Sequence, residues 1–149
     1  MVLKKIPSHV FQSSESDLSE IFLLESHDHS KKPALFLDRD GVLIKDCHYI
    51  SNVNNVELEK CAKKLVRFAF DNGWYIVVVS NQSGISRNKL TWEEYFQITN
   101  KMISLFGDPN PFSAIYANSQ GPYTKIKNWR KPSPGMILRA AKSLNIDLD

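Results

Sequence analysis

Two short apolar runs, each followed directly by polar residues, place the strongest limit on how this chain can fold. Ala34–Leu37 is uninterrupted and apolar and is followed by Asp38, and the β-branched run at residues 75–79 leads into Ser80. Runs without alternation are typical of strands buried on both faces, as in parallel sheets. A helical pattern lies between them, so the order strand, helix, strand predicts parallel pairing in an α/β fold.

Helical periodicity accounts for most of the remaining apolar residues after position 57. The first stripe ends at Gly73, a plausible helix stop, and the second begins with a capping-box pattern at Thr91 and Glu94. Residues 113–117 are a shorter candidate strand, and Ser133 with Pro134 is a typical helix start. The predicted buried stripes are Cys61, Ala62, Leu65, Val66 and Ala69; Trp92, Tyr95, Phe96, Thr99, Met102, Ile103 and Phe106; and Met136, Ile137, Ala140, Ala141 and Leu144.

Residues 1–32 differ in composition from the rest of the chain. They are rich in Ser, Glu, Asp and His and show no sustained periodicity apart from the apolar run at residues 21–24. We interpret them as a polar N-terminal arm outside the core, followed by a single domain at residues 33–149. His27, Asp28 and His29 lack a convincing metal-ligand spacing and are interpreted as part of a solvated tail.

Charge, cysteine spacing and hydropathy argue against several classes of protein, including nucleic-acid-binding, secreted and membrane proteins. Lys and Arg outnumber Asp and Glu by 19 to 16, an excess too small to predict a nucleic-acid surface. Cys47 and Cys61 lack disulfide or zinc-ligand spacing, and no signal peptide opens the chain. No apolar run reaches the roughly 18 residues that span a membrane. We therefore expect a cytoplasmic protein with neither a membrane nor a nucleic-acid partner.

The segment Asp38-Arg39-Asp40-Gly41 places two carboxylates at the predicted carboxyl end of the first buried strand. This is where open α/β sheets bind ligands, and Gly41 allows a sharp turn there. A carboxylate beside a divalent cation can attack phosphorus, and a second can exchange protons with the leaving group and water. Taken alone, the fragment is equally compatible with a calcium loop or a simple turn.

Two further segments suit phosphate. Ser80 and Asn81 offer a hydroxyl and an amide at the end of the second strand, although a capped turn would use the same residues. Lys131 precedes the predicted helix start at Ser133, where the helix dipole also favours anions. A lone lysine is usually a surface residue, so only the combination of three such segments favours a phosphate site.

The stretches ALFLDRDGVLIKD, VVVSNQSGISR and WRKPSPGMILRAAKSLNIDL resemble the first three motifs of the haloacid dehalogenase phosphatases. The most similar branch contains the D-glycero-D-manno-heptose 1,7-bisphosphate and histidinol-phosphate phosphatases. The resemblance spans residues 33–149. It implies a three-layer, Rossmann-like parallel sheet without a large cap domain, and a Mg²⁺-dependent phosphomonoester hydrolase.

The resemblance also implies a role for each matching residue. Asp38 would be the nucleophile that becomes an aspartyl-phosphate and a Mg²⁺ ligand. Asp40 would be the general acid and base, with its backbone carbonyl on the metal. Ser80 and Asn81 would bind the transferring phosphoryl group, and Lys131 would also bind it, neutralising its charge, and would orient Asp38. Weaker candidates for substrate contact are Gln82, Arg87 and Arg130.

This sequence departs from the branch in two ways. Heptose-bisphosphate members commonly carry a zinc loop, but residues 117–129 contain neither Cys nor His, so no structural zinc is predicted. The fourth motif, which supplies the last Mg²⁺ carboxylate, falls beyond Asp149, and Asp147 and Asp149 are poor substitutes. Because the fourth strand would lie beside Ala34–Leu37, its loss would leave an exposed apolar edge. We therefore expect a truncated chain, or a partner chain or homo-oligomer that covers that edge. We also expect weak magnesium binding and slow turnover from this form.

About 35 residues separate Gly41 from Tyr75, which leaves room for a loop and one helix but not for a cap domain. We therefore expect an open site for a small phosphorylated sugar, with specificity set by residues 47–53 and 117–130. Heptose 1,7-bisphosphate is the first candidate substrate and histidinol phosphate the second. The remaining alternatives are a catalytically impaired binding module and a nucleic-acid 3′-phosphatase.

Overall fold

A computed structural model describes residues 17–24, 30–126 and 128–149 of the protein. Its centre is a four-stranded sheet in the order β1-β4-β3-β2. β2, β3 and β4 are parallel, and β1 is antiparallel to β4. The predicted α/β fold is confirmed, but the sheet is mixed and not wholly parallel. The strands are β1 (Leu18–Phe22), β2 (Ala34–Leu37), β3 (Tyr75–Asn81) and β4 (Ala114–Asn118).

Strand β1 corrects the interpretation of residues 1–32 as lying wholly outside the core. Leu18 and Ile21 are buried, and the strand pairs with β4 in the register Leu18 to Asn118. Glu20 also forms a two-bond pair with the Arg139 guanidinium, at 2.9 and 2.8 Å. The sequence of this strand, LSEIF, neither alternates apolar and polar residues nor forms an unbroken apolar run, which explains the wrong assignment. His27, Asp28 and His29 lie outside the described residues.

Three helices flank the sheet: α1 (Ala62–Asp71), α2 (Trp92–Phe106) and α3 (Gly135–Leu144). The capping box of Thr91 and Glu94 at the start of α2 is present as predicted. α3 begins later than predicted, because Ser133 does not cap it; its hydroxyl donates to the carbonyl oxygen of Asn128 at 2.8 Å. α1 also begins late, and Cys61 and Leu65, predicted to be buried, are exposed.

Alternation along the strands divides the core into two layers, one on each face of the sheet. Ile76 and Val78 of β3 pack with residues of α1 and α2, whereas Val77 and Val79 pack with residues of α3. Successive side chains of a strand point to opposite faces of the sheet. Since helices cover both faces here, a central strand such as β3 needs apolar residues at successive positions. This arrangement confirms the predicted three layers.

Strand β2 lies at one edge of the sheet and pairs only with β3 among the named strands. Near its start, Lys32 forms an isolated parallel bridge with Ile146, and the Asp147 amide donates to the Lys32 carbonyl oxygen at 2.8 Å. Beyond that bridge, Leu35 and Phe36 are only half-buried. The predicted edge position of Ala34–Leu37 is therefore confirmed, but the strand is less exposed than expected, since Ala34 is also half-buried and Leu37 is buried. Within the described residues, no helix is long and apolar enough to cross a membrane.

Candidate active site

The parallel strands deliver their polar residues to one end of the sheet. Asp38 follows β2 directly, and β3 and β4 end side by side with Asn81 paired to Asn118. Because parallel strands share a direction, their carboxyl ends lie at the same end of the sheet, and the loops that follow them converge there. The three predicted motifs are brought together at this end of the sheet.

The closest contact between the motifs joins Asp38 and Lys131. The Lys131 ammonium lies 2.5 Å from one Asp38 carboxylate oxygen and donates to the Val79 carbonyl oxygen at 2.9 Å. The other Asp38 carboxylate oxygen accepts from the Arg39 backbone N–H at 2.8 Å. Each oxygen therefore has a donor, and the carboxylate is fixed while remaining about one third exposed.

Asparagine side chains hold the backbone of Lys131 in place. The Asn81 side-chain oxygen accepts from the Lys131 backbone N–H at 3.0 Å, and the Asn81 amide donates to the Lys131 carbonyl oxygen at 3.3 Å. That same Asn81 oxygen also accepts from the Asn118 amide at 2.9 Å. Asn81, predicted to bind phosphate, thus fixes the lysine in this arrangement.

Asp40 is held by two neighbours. The Arg39 guanidinium donates to both carboxylate oxygens, each at 3.1 Å, and the Gln82 amide donates to Oδ2 at 2.7 Å. Arg39 also donates to the Gln82 side-chain oxygen at 3.2 Å, which closes a ring of three side chains. Paired donors of this kind restrict a carboxylate to one orientation.

Arg39 is buried, with 1% of its surface exposed, and its guanidinium lies 5.0 Å from the centre of the Tyr95 ring. A buried arginine is stabilised by carboxylates and aromatic faces, and both are present here. Burial raises the pKa of the Tyr95 hydroxyl, and the charge of Arg39 opposes that shift. Arg39 therefore links the loop after β2 to the aromatic side of α2.

Ser80 lies beneath the site and not on its surface. Its side chain is fully buried, and its hydroxyl oxygen accepts from the Gln82 amide at 2.7 Å. The same amide nitrogen donates to Asp40, so Gln82 connects the two predicted site residues. Direct contact between Ser80 and a phosphate requires the Gln82 side chain to move aside.

A cleft of about 240 Å³ opens next to Asp40, Asn81 and Gln82. The cleft is also lined by the loop residues His48, Tyr49 and Ile50, inside the segment predicted to set specificity. The Arg87 guanidinium donates to the Tyr49 hydroxyl and, at 2.9 Å, to the Ser83 hydroxyl. Arg87 therefore braces Tyr49 beside the cleft.

Arg130 does not line this cleft. Its guanidinium donates to the Gln120 carbonyl oxygen at 3.0 Å, and its backbone N–H donates to the Gln120 side-chain oxygen at 3.3 Å. In this structure Arg130 fixes the loop that precedes Lys131. The weaker prediction that Arg130 touches substrate stays a prediction.

The residues present suit magnesium in kind but supply few ligands. Mg²⁺ prefers hard oxygens and keeps several waters, so the Asp38 carboxylate and the Asp40 carbonyl oxygen are suitable ligands. Among the described residues, no group of three or more His, Cys, Asp or Glu side chains is placed to hold a metal. Asp147 pairs with Lys31, seven residues before Asp38 and so roughly 20 Å along an extended strand. Neither Asp147 nor its neighbour Asp149 completes the site.

The structure adds supporting residues that the motifs did not reveal. Arg39 gave no signal, since a charged residue between two aspartates is ordinarily assigned to the surface. Asn118 and Gln120 had a usable signal, because Asn118 ends β4 as Asn81 ends β3, and Gln120 lies two residues further on. The rule that carboxyl ends of strands carry ligands applies equally to the third strand.

Comparisons with known proteins agree with this geometry. The profile of the polynucleotide kinase 3 phosphatase family matches residues 33–149. A D-glycero-β-D-manno-heptose-1,7-bisphosphate 7-phosphatase of Vibrio cholerae is 36% identical over 124 residues, covering 78% of this chain and 67% of that protein. The α-anomer phosphatase of Burkholderia mallei is 32% identical over 125 residues, covering 79% and 66%.

The chain is also similar to solved structures of phosphatases. A putative haloacid dehalogenase-like phosphatase from Mesorhizobium loti superposes with a TM-score of 0.81 at 29% identity, covering 89% of this chain and 66% of that one. A D,D-heptose 1,7-bisphosphate phosphatase from B. bronchiseptica, complexed with magnesium and phosphate, gives 0.69 at 25% identity, covering 78% and 65%. The chain thus spans about two thirds of these relatives. The chain belongs to the polynucleotide kinase 3 phosphatase family. It is a haloacid dehalogenase phosphatase of the branch that contains the heptose-bisphosphate phosphatases.

Proposed function

We propose that this chain hydrolyses a phosphomonoester of a small phosphorylated sugar, D-glycero-D-manno-heptose 1,7-bisphosphate, through an aspartyl-phosphate on Asp38. The observation that carries the proposal is the contact of the Lys131 ammonium with Asp38, beside a firmly held Asp40. A cation beside the attacking carboxylate offsets the charge that builds up on the phosphoryl oxygens. The relatives named above support the choice of substrate.

In the first step, a carboxylate oxygen of Asp38 forms a bond to phosphorus and the bond to the sugar oxygen breaks. Asp40, in its protonated form, gives its proton to that leaving oxygen, so the sugar departs as a neutral alcohol. Arg39 and Gln82 keep Asp40 in one orientation for this transfer. Lys131 faces both the nucleophile and the incoming anion.

In the second step, Asp40 accepts a proton from water as the water oxygen attacks phosphorus. The bond between phosphorus and Asp38 breaks, which releases inorganic phosphate and restores the carboxylate. Asp40 keeps the proton that it needs for the next cycle. When bound at Asp38 and the Asp40 carbonyl oxygen, Mg²⁺ would neutralise charge on the phosphoryl oxygens.

The 240 Å³ cleft suits a small sugar phosphate, and no cap domain covers it between Gly41 and Tyr75. A second candidate function is a nucleic-acid 3′-phosphatase, favoured by the name of the family that matches residues 33–149. The sugar is preferred because the heptose-bisphosphate phosphatases of Vibrio cholerae and Burkholderia mallei are 36% and 32% identical to the chain.

The test is phosphate release by the 149-residue chain with Mg²⁺ on four substrates. These are the two anomers of the heptose bisphosphate, histidinol phosphate and a 3′-phosphorylated oligonucleotide. We expect release from a heptose bisphosphate that is abolished by Asp38→Asn and by chelation of the metal. Asp71→Asn, at the exposed end of α1, removes one carboxylate of the same kind and serves as the matched control. Release from the oligonucleotide alone would favour the second candidate, and release from none would refute both.

A further inference from the structure

Strand β1 lies outside the family match at residues 33–149, yet the residue before it contacts the loop that leads to Lys131. The Asp17 carbonyl oxygen accepts from the Ser119 backbone N–H at 2.8 Å. The Asp17 carboxylate accepts from the Ser119 hydroxyl at 2.9 Å and from the Gln120 amide at 3.5 Å. The N-terminal strand is therefore joined to the end of β4.

Gln120 in turn holds the two ends of this loop together. Its side-chain oxygen accepts from the backbone N–H groups of Trp129 and Arg130 at 3.1 and 3.3 Å. Its amide nitrogen donates to the Ile126 carbonyl oxygen at 3.1 Å. With only 6% of its surface exposed, Gln120 forms these bonds largely shielded from water. Lys131 is the next residue after Arg130.

The partners of Gln120 permit only one orientation of its amide group. The Asp17 carboxylate and the Ile126 carbonyl are acceptors only, and the two backbone N–H groups are donors only. A flipped amide would place donor against donor and acceptor against acceptor. Asp17 therefore helps to select the orientation that fixes the backbone directly before Lys131.

We propose that Asp17 and Gln120 are positioning residues, which act through the backbone at residues 129–130 to place the Lys131 ammonium against Asp38. A second set of contacts also links Gln120 to Lys131. It begins with the Gln120 backbone N–H, which donates to the Asn118 side-chain oxygen at 3.1 Å. Asn118 then contacts Asn81, which accepts from the Lys131 backbone N–H. The catalytic consequence rests on the proposed function, but the placement of the loop does not.

The placement is tested by hydrogen exchange at the backbone amides of Trp129, Arg130 and Lys131. We expect Gln120→Ala to speed exchange at Trp129 and Arg130 about tenfold, through the loss of a shared acceptor, and to speed exchange at Lys131 as well. Asp17→Asn, a milder change, should speed it two- to threefold on the same order-of-magnitude scale. Unchanged protection of Lys131 in both variants would overturn the proposal.

Glu20→Gln is the matched control, because it removes a carboxylate three residues after Asp17, within β1, that faces Arg139 and not the loop. This control should leave exchange at residues 129–131 as it is in the unaltered chain, since β1 stays paired with β4. Faster exchange in the control, equal to that in Asp17→Asn, would assign the effect to the strand as a whole and contradict the special role of Asp17.

The link to the site is tested by calorimetric binding of inorganic phosphate in the presence of Mg²⁺. We expect Gln120→Ala to weaken binding about fivefold to tenfold when Lys131 is present, and to have no further effect in the Lys131→Ala background. Equal weakening in both backgrounds would mean a merely structural role and would overturn the proposal. Absence of phosphate binding in the unaltered chain would count against the proposed function, while exchange would still decide the placement.

Discussion

The ammonium group of Lys131 lies 2.5 Å from a carboxylate oxygen of Asp38, although 93 residues separate the two in the sequence. The contact forms because β2 and β3 are parallel neighbours and the lysine reaches across the Val79 carbonyl oxygen. It places a fixed positive charge beside the carboxylate that we propose as the nucleophile. The proposed chemistry therefore uses Lys131 as well as the two aspartates.

Replacing Lys131 with Ala should lower kcat for the phosphomonoester by about a hundredfold or more, because a charge aimed at the transferring phosphoryl group is lost. Folding should change little, since the Asp38 carboxylate is partly exposed to water. Steady-state kinetics and thermal unfolding measure the two effects. Lys142→Ala, an exposed lysine on α3, is the control and should leave kcat unchanged. A similar kcat in both variants would contradict the role of Lys131.

Arg39→Met should cost about 2–4 kcal/mol of the free energy of unfolding, because it removes a buried guanidinium from Asp40, Gln82 and the Tyr95 ring. We also expect kcat to fall more than tenfold, since Asp40 loses two donors that orient it. Urea denaturation and kinetics test this. Arg67→Met removes a guanidinium that bonds the Phe106 carbonyl oxygen far from the site, and should leave kcat intact.

Gly84→Ala should raise KM about threefold to tenfold with little change in kcat. A Cβ at position 84 would lie 2.6 Å from a ring carbon of Tyr49, which borders the cleft, so the ring must move. Gly121→Ala is the matched control, because its Cβ would meet only the Ser86 hydroxyl at an ordinary 3.6 Å. An unchanged KM in Gly84→Ala would show that Tyr49 plays no part in substrate binding.

The free energy of unfolding should fall as pH rises from about 10 to 12. Burial raises the pKa of Tyr116 from an ordinary 10.0 to about 12, so above pH 10 the unfolded chain releases this proton and the folded chain does not. The stabilisation is complete below pH 10 and is lost by up to about 1.4 kcal/mol per pH unit until the folded pKa is reached. Urea titrations should show a shallower fall in Tyr116→Phe; an equal slope in both chains would contradict this origin.

Much of the fold was predictable because its elements carry strong local signals. The unbroken apolar run of β3, the capping box at Thr91 and the stripe of α2 are each determined by neighbouring residues. Strand β1 was missed since its five residues are stabilised by pairing with β4 and by the Arg139 contact of Glu20, and both contacts are distant in sequence. Such contacts leave no periodic pattern.

The candidate site was predictable in outline and not in its supporting contacts. Asp38 and Lys131 were expected to meet because Asp38 follows the first predicted buried strand and Lys131 lies on the loop between the last predicted strand and the last helix. The burial of Arg39, the position of Ser80 beneath Gln82 and the loop closure by Gln120 depend on side-chain packing across the sheet. Polar residues that support a site resemble ordinary surface residues until their neighbours are known.

Borohydride trapping during turnover of the heptose bisphosphate tests the proposed nucleophile most directly. An aspartyl-phosphate is an activated carboxyl, and reduction converts that side chain into an alcohol, which peptide mass spectrometry locates. We predict conversion at position 38 that depends on substrate and Mg²⁺. Phosphate release without any converted Asp38, or with conversion at Asp40 instead, would contradict the assignment.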